Sequence, residues 1–179
     1  MKQNLSLFKT PNEFRGRSKF TVQLWWIVQA TLFRMSPQVL YGWRNLLLRC
    51  FGAEIGRKVI IRPSARFTYP WKVKIGDYSW VGDDVVFYSL GNIFIGKNVV
   101  ISQKTYLCTG SHNYKRIDFP ISEDSITIED ECWLATDVYV APGVNIKKGA
   151  IVGARSSVFC DLESNKIYFG TPAKFHKER

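Results

Sequence analysis

"IEDECWLATDVYVAPGVNIKKGAIVGARSSV", residues 128–158, decides how this chain folds. Ile128, Leu134, Val140, Ile146, Val152 and Val158 occupy every sixth position in it without a miss. A helix repeats near 3.6 residues and a half-buried strand near two, so neither produces this spacing. A period of six fits a three-sided coil in which each hexapeptide supplies one short strand and one corner. Stacking such coils buries the recurring apolar residue in a column that no single coil could shield.

The same period runs upstream. Ile75, Val81, Phe87 and Ile93 form one series, and Ile95, Ile101 and Leu107 form another. Small residues follow many anchors, as in "IGDYSW", "IGKNVV" and "VGARSS", where they would ease a tight corner. Four residues after the anchors stand Ser79, Val85, Val99, Thr105, Cys132, Val138, Val144 and Ser156, all compact enough to share a narrow interior. The two-residue offsets from Val73 to Ile75 and from Ile93 to Ile95 are expected to widen corners without breaking the stack. The expected fold class is an all-β solenoid, a parallel β-helix of hexapeptide repeats. Its expected parts are a helical segment over 1–50, the β-helix over 51–166 and a basic tail over 167–179.

Residues 1–50 carry no hexads. "QLWWIV" and "YGWRNLLLRCFG" read as two amphipathic helices near 18–34 and 38–50, with Gly52 ending the second. Their first expected role is to cap the open first coil, whose free edge would otherwise pair with another chain. The second is shallow contact with an anionic membrane through aromatic and basic side chains. The apolar run Phe20–Phe33 is too short to span a bilayer, and no secretory signal is read at the start, so a cytoplasmic protein is expected, peripheral at most to the inner membrane.

A net charge of +10 asks for an acidic partner, but the basic residues are scattered and match no nucleic-acid module, so none is expected. The apolar fraction of 46% excludes a disordered chain. Cys50, Cys108, Cys132 and Cys160 form no C-x-x-C pair, and His112 and His176 are too few for a histidine-ligated zinc, which also disfavours a carbonic anhydrase on this scaffold. No metal is expected.

After Leu107 the next anchor falls due at 113, yet the register resumes only at Ile128, fifteen residues late. The intervening "GSHNYKRIDFPISEDSI" is read as a loop, 110–126, leaving a corner of an intact stack; long loops on rigid scaffolds commonly carry function. His112 sits at its start. An imidazole exchanges protons near neutral pH, which suits a general base, although an idle surface histidine would look the same in sequence. His176, in "AKFHKER", reads as merely exposed.

With the hexads, the broken corner, "VVISQKTYLCTGSHNY", "VYVAPGV", "VGARSSV" and "GTPAK" in view, the chain resembles the left-handed β-helix hexapeptide acyltransferases. Within them it resembles the colanic-acid biosynthesis acetyltransferase branch; "FKTPNEFRGRS" and "LLLRCFGAEIG" extend the likeness over nearly the full length. The left hand of the helix comes from that resemblance and runs against the usual crossover rule. The resemblance implies acetyl transfer from acetyl-CoA to a sugar hydroxyl in exopolysaccharide or surface-glycan synthesis, with His112 as general base and no acyl-enzyme. It also implies a homotrimer with the donor bound between subunits. Trp133, Thr136 and Ala154 would line the pantetheine arm, with Ala135 and Gly153 beside them, and Lys174, Lys177 and Arg155 would meet the CoA phosphates. Phe159 stands where the galactoside branch has a small polar residue, and "GTPAK" departs from the commoner G-N-P-A-[KR]. The partner of the other imidazole nitrogen stays open between Asp118, Glu123 and a backbone carbonyl. Tyr88, Ser89 and Asn92 are candidate acceptor contacts. An N-acetyltransferase acting on an amino sugar, or a scaffold without catalysis, are the competing readings.

Overall fold

The computed structural model describes residues 2–11 and 14–179. Its body is a left-handed parallel β-helix of triangular section. The first wall stacks Glu54–Ile55, Val73–Ile75, Ile93–Ile95, Ile126–Ile128 and Asn145–Ile146 in parallel register. The second stacks Ile60–Ile61, Trp80–Val81, Val100–Ile101, Trp133–Leu134, Ile151–Val152 and Lys166–Phe169, and the third Arg66–Phe67, Val86–Tyr88, Tyr106–Cys108, Tyr139–Val140 and Ser157–Val158. Each hexad partner lies directly over its predecessor, as in Leu134 over Ile101 and Val140 over Leu107.

All thirteen predicted anchors point inward and are at most 4% exposed, which makes them one continuous column. The compact residues four positions on are buried beside them, Ser79 and Thr105 included. One coil lies upstream of the predicted series: Ile55, Ile61 and Phe67 are buried, and the Phe67 ring stacks on Phe87 at 4.5 Å. Eight residues separate Phe67 from Ile75, against six between later anchors such as Val140 and Ile146, which hid the earlier repeat.

The small residue after an anchor has a different reason from the one expected. The turn is made two residues later, where Tyr78, Asp84, Asn98, Lys104, Glu131 and Asp137 all take positive φ. Gly76 is needed because the next coil passes close: a Cβ there would stand 2.6 Å from the Gly96 carbonyl carbon.

The N-terminal helices form as α1 (Lys19–Val28) and α2 (Tyr41–Cys50), with a wider π-type turn over Gln29–Phe33 where the first was expected to run on. Ser18 caps α1 by accepting from the Thr21 N–H. This segment meets the first coil at each wall. Arg49 donates to the Ile55 carbonyl (2.8 Å), Arg44 to Ile61 (2.7 Å), Asn45 to Val59 (2.8 Å) and Trp25 to Phe67 (2.7 Å), while the Gln29 amide oxygen accepts from the Phe67 N–H (2.6 Å). Backbone groups at the open edge are thereby satisfied, where an orphaned buried group would cost about 1–3 kcal/mol. Arg44 is wholly buried, and its guanidinium also binds the Ser36 hydroxyl and the Pro37 and Gln38 carbonyls. Burial lowers its pKa.

At the other end, the segment read as a basic tail is ordered. Lys174–Glu178 pairs antiparallel with Lys166–Phe169 and adds a last strand to the second wall, after a cis Thr171–Pro172 peptide.

Candidate functional site

The extra residues gather at one corner. Between the third and first walls the chain uses eight residues from Phe67 to Ile75 and again from Phe87 to Ile95, and the long excursion leaves from the same corner one coil higher. The two widened corners below form its base. Tyr69 and Leu90 are buried there with Val22 of α1, and Phe14, Tyr88 and Ile121 pack on them.

The excursion is built as an antiparallel ribbon. Gly110–His112 pairs with Ile121–Glu123, His112 facing Ile121 across it. Gly110 fits because Leu90 presses against it: a Cβ there would come within 2.6 Å of Leu90 Cδ1 and 2.9 Å of Tyr88. Lys72 anchors the ribbon's far strand. Its ammonium donates to the carbonyls of Phe14 (2.6 Å) and Leu90 and meets Glu123 at 3.3 Å. Cap segment, widened corner and ribbon thus share one cation. The chain start adds a further tie, with Asn4 N–H donating to Ile117 carbonyl at 2.7 Å.

His112 is exposed on this support. Its Nδ1 lies 3.0 Å from the Phe119 carbonyl oxygen, and its ring lies flat on the Phe119 ring at 4.3 Å and 11°. The Phe8 ring approaches at 6.3 Å. A carbonyl can only accept, so Nδ1 carries a proton, and in the neutral ring the lone pair is then on Nε2. Of the three candidates for the orienting group, the backbone carbonyl holds the position. Asp118 is taken by Arg116 at 2.8 Å, and Glu123 by Lys72. Phe119 has φ +46°, a left-handed conformation that a bulky side chain adopts only under constraint. Sequence reasoning missed Phe119, since what it supplies is a main-chain atom.

The residues expected along the donor sit elsewhere on the prism. Trp133 stands exposed on the second wall, its indole N–H donating to the Ser102 hydroxyl at 3.1 Å. Ala135 and Thr136, half-buried, and Ala154 and Arg155, exposed, follow at the corner between the second and third walls. Arg155 lies 3.6 Å from Asp137. Lys174 and Lys177 are exposed on the added strand of the second wall. In a triangular section the second wall is opposite the corner that carries His112, so one protomer does not bring these groups together.

Two expectations change. Gly153 is buried, and a Cβ on it would fall on the Phe169 ring, so it is the floor beneath Phe169 and not an open contact. Ser89 is withdrawn from the acceptor set: it is fully buried, and its hydroxyl accepts from the Tyr69 N–H (2.9 Å) and donates to the Tyr69 carbonyl (3.0 Å). Tyr88 is half-buried and Asn92 exposed near the ribbon's corner. His176 is exposed beside Phe169, ring centroids 5.0 Å apart. Cys132 is buried, and burial pushes its thiol up to about 11, which leaves it unreactive near neutral pH.

A three-walled left-handed β-helix of hexapeptide repeats is the fold this chain shares with solved hexapeptide-repeat acetyltransferases. A maltose O-acetyltransferase from Clostridium difficile 630 superposes with a TM-score of 0.82 over 90% of this chain and 89% of that one, at 21% identity. A hexapeptide-repeat acetyltransferase from Vibrio cholerae O1 biovar eltor, solved with acetyl-CoA, gives 0.81 over 89% and 87%, at 24% identity. No protein-family model matches the chain. The "Putative colanic acid biosynthesis acetyltransferase WcaF" of Escherichia coli (strain K12) is 59% identical over 177 residues, 99% of this chain and 97% of that protein. The chain belongs to the colanic acid biosynthesis acetyltransferase family and is an acetyltransferase.

Proposed function

We propose that the protein transfers acetyl from acetyl-CoA to a sugar hydroxyl in the synthesis of a surface polysaccharide of the colanic acid type, with His112 as general base. The observation that carries the reading is the His112–Phe119 contact, which fixes the tautomer and leaves Nε2 free to accept a proton. The acceptor oxygen attacks the thioester carbonyl carbon as Nε2 takes its proton, and a C–O bond forms. The tetrahedral oxyanion then collapses, the C–S bond breaks, and the imidazolium returns the proton to the departing thiolate. Acetylated sugar and free CoA thiol leave, and no protein nucleophile is consumed.

The donor's pantetheine arm would lie on the second wall along Trp133, Thr136 and Ala154, beside Ala135, with Lys174, Lys177 and Arg155 meeting its phosphates. Because that wall is opposite the His112 corner, the imidazole acting on this donor comes from a neighbouring protomer. A cyclic homotrimer supplies three such sites from one repeated contact. Tyr88 and Asn92 remain as acceptor contacts.

The test supplies labelled acetyl-CoA to a panel of neutral and amino sugars. Label in an ester that hydroxylamine removes supports the reading. Label in a hydroxylamine-stable amide assigns the enzyme to amino sugars instead, and no transfer to any acceptor overturns the assignment. Sedimentation equilibrium is expected to give three times the 20.6 kDa chain mass.

A further inference from the structure

The outer face of the helical cap is apolar where solvent should favour polar groups. Val22 and Trp25 of α1 face the first coil, yet Phe20, Leu24 and Ile27 line the opposite side at helical spacing. Phe20 is 76% exposed and Ile27 61%. Met35 (78%) and Val39 (76%) are exposed in the connection to α2, as is Trp43 on α2 itself. The Trp43 indole N–H is already satisfied by the Leu32 carbonyl at 3.0 Å. Single exposed apolar residues are ordinary on a soluble protein, whereas six of them in one stretch of two helices and their connection mark a contact surface.

The charge around this face is of one sign. Residues 14–53 contain no aspartate or glutamate and carry Arg15, Arg17, Lys19, Arg34, Arg44 and Arg49. Arg44 is spent inside the cap, but Arg17 and Lys19 before and at the start of α1, and Arg34 after its final turn, are exposed. Apolar side chains on a segment whose charged residues are all cations match the boundary between anionic headgroups and acyl chains. No helix among the described residues is long and apolar enough to cross a membrane, so the fitting mode is lying in the surface. A second copy of the chain fits less well. Positive rims repel in a self-contact, and the proposed threefold packing uses the prism's side walls, whereas this face closes its end.

We propose that the cap's outer face is a docking surface for an anionic lipid bilayer, entered shallowly by Phe20, Ile27, Met35 and Val39 and held by Lys19, Arg17 and Arg34. One surface would then both seal the first coil on its inner side and hold the prism upright on a membrane with its outer side.

The experiment uses the full-length protein and sucrose-loaded vesicles of phosphatidylcholine alone or mixed in equal parts with phosphatidylglycerol. The protein is expected to pellet with the mixed vesicles, less so at high salt, and about tenfold more weakly with phosphatidylcholine alone. Phe20→Ser/Ile27→Ser/Met35→Ser and, separately, Lys19→Glu/Arg34→Glu should each cut the partition about tenfold while the melting temperature holds, since every changed side chain is exposed. Wild-type protein remaining in the supernatant with mixed vesicles, or variants pelleting as wild type does, overturns the proposal. So does a fall in oligomer mass in the serine variant, which would make the face a subunit contact.

Discussion

His112 gives its Nδ1 proton to the carbonyl oxygen of Phe119, 3.0 Å away, and lies flat on the ring of the same residue. One residue thus fixes the imidazole twice, by an acceptor that sets the tautomer and by a surface that sets the plane. Replacing His112 with alanine is expected to lower kcat by about 10²–10⁴-fold, the usual contribution of a positioned base. The side chain is exposed, so the melting temperature should stay unchanged. A variant turning over at the wild-type rate would remove His112 from the reaction.

Phe119→Gly separates the two supports. It keeps the carbonyl, accommodates the positive φ and removes the stacking ring. The imidazole then swings about its remaining hydrogen bond, and misplacement of a reacting group by about 1 Å can cost 10²-fold. The expected result is a kcat lower by roughly 10- to 100-fold, with KM for acetyl-CoA little changed because the proposed donor contacts are second-wall side chains and not this ring. Equal loss in kcat and donor affinity would show that the ring serves the donor.

Lys72 reaches the ribbon from below, through the carbonyls of Phe14 and Leu90 and the carboxylate of Glu123. Lys72→Met leaves both carbonyls without this donor and frees Glu123. Amides of Gly110–His112 and Ile121–Glu123 should exchange hydrogen faster, and kcat should fall more than stability does. Exchange confined to the first coil, with the ribbon unchanged, would make Lys72 a strut of the cap alone.

Gly76→Ala tests the stacking account of the small residue that follows many anchors. A Cβ there would meet the Gly96 carbonyl carbon at 2.6 Å and Lys97 N at 2.8 Å, both of them backbone. Neither atom can rotate away, so the coils must part. Overpacking of this kind costs about 1–3 kcal/mol, to be read from denaturant unfolding. Backbone conformation gives no second reason for the glycine, because Gly76 is not among the positive-φ positions, so a fully tolerated alanine would overturn the stacking account.

The hexads were legible because every anchor meets the same requirement, an inward position shielded by the coils above and below. The corner turns were not, since Tyr78, Asp84, Lys104 and Glu131 share a backbone conformation and no chemistry. Ser89 was misplaced for a related reason. It lies in a widened corner two residues past Phe87, where the period no longer says which side faces in, and it proved to be a tie to the Tyr69 backbone. His112 showed itself through the broken register, yet Phe119 left no trace, because a carbonyl belongs to every residue. The outward side of the cap was hidden for want of depth: "QLWWIV" is apolar on both faces, and only the packing of Val22 and Trp25 on the coil shows that Leu24 and Ile27 are left outside.

The column also sets an alkaline limit on stability. Burial raises the Cys132 thiol from 9.0 to about 11, so between those values the unfolded chain gives up a proton that the folded chain retains. Folded protein therefore binds more protons there, and its stability must fall as pH rises, having been unaffected by this group below 9. Tyr139, pushed up to about 12 by burial and its contact with Cys108, acts in the same direction at higher pH. The slope from Cys132 alone is bounded at about 1.4 kcal/mol per pH unit. Melting temperatures taken from pH 8 to 11 should be flat and then descend, and Cys132→Val should soften the descent above pH 9 without altering the flat part's shape. An unaltered descent in that variant would place the alkaline weakness outside the column.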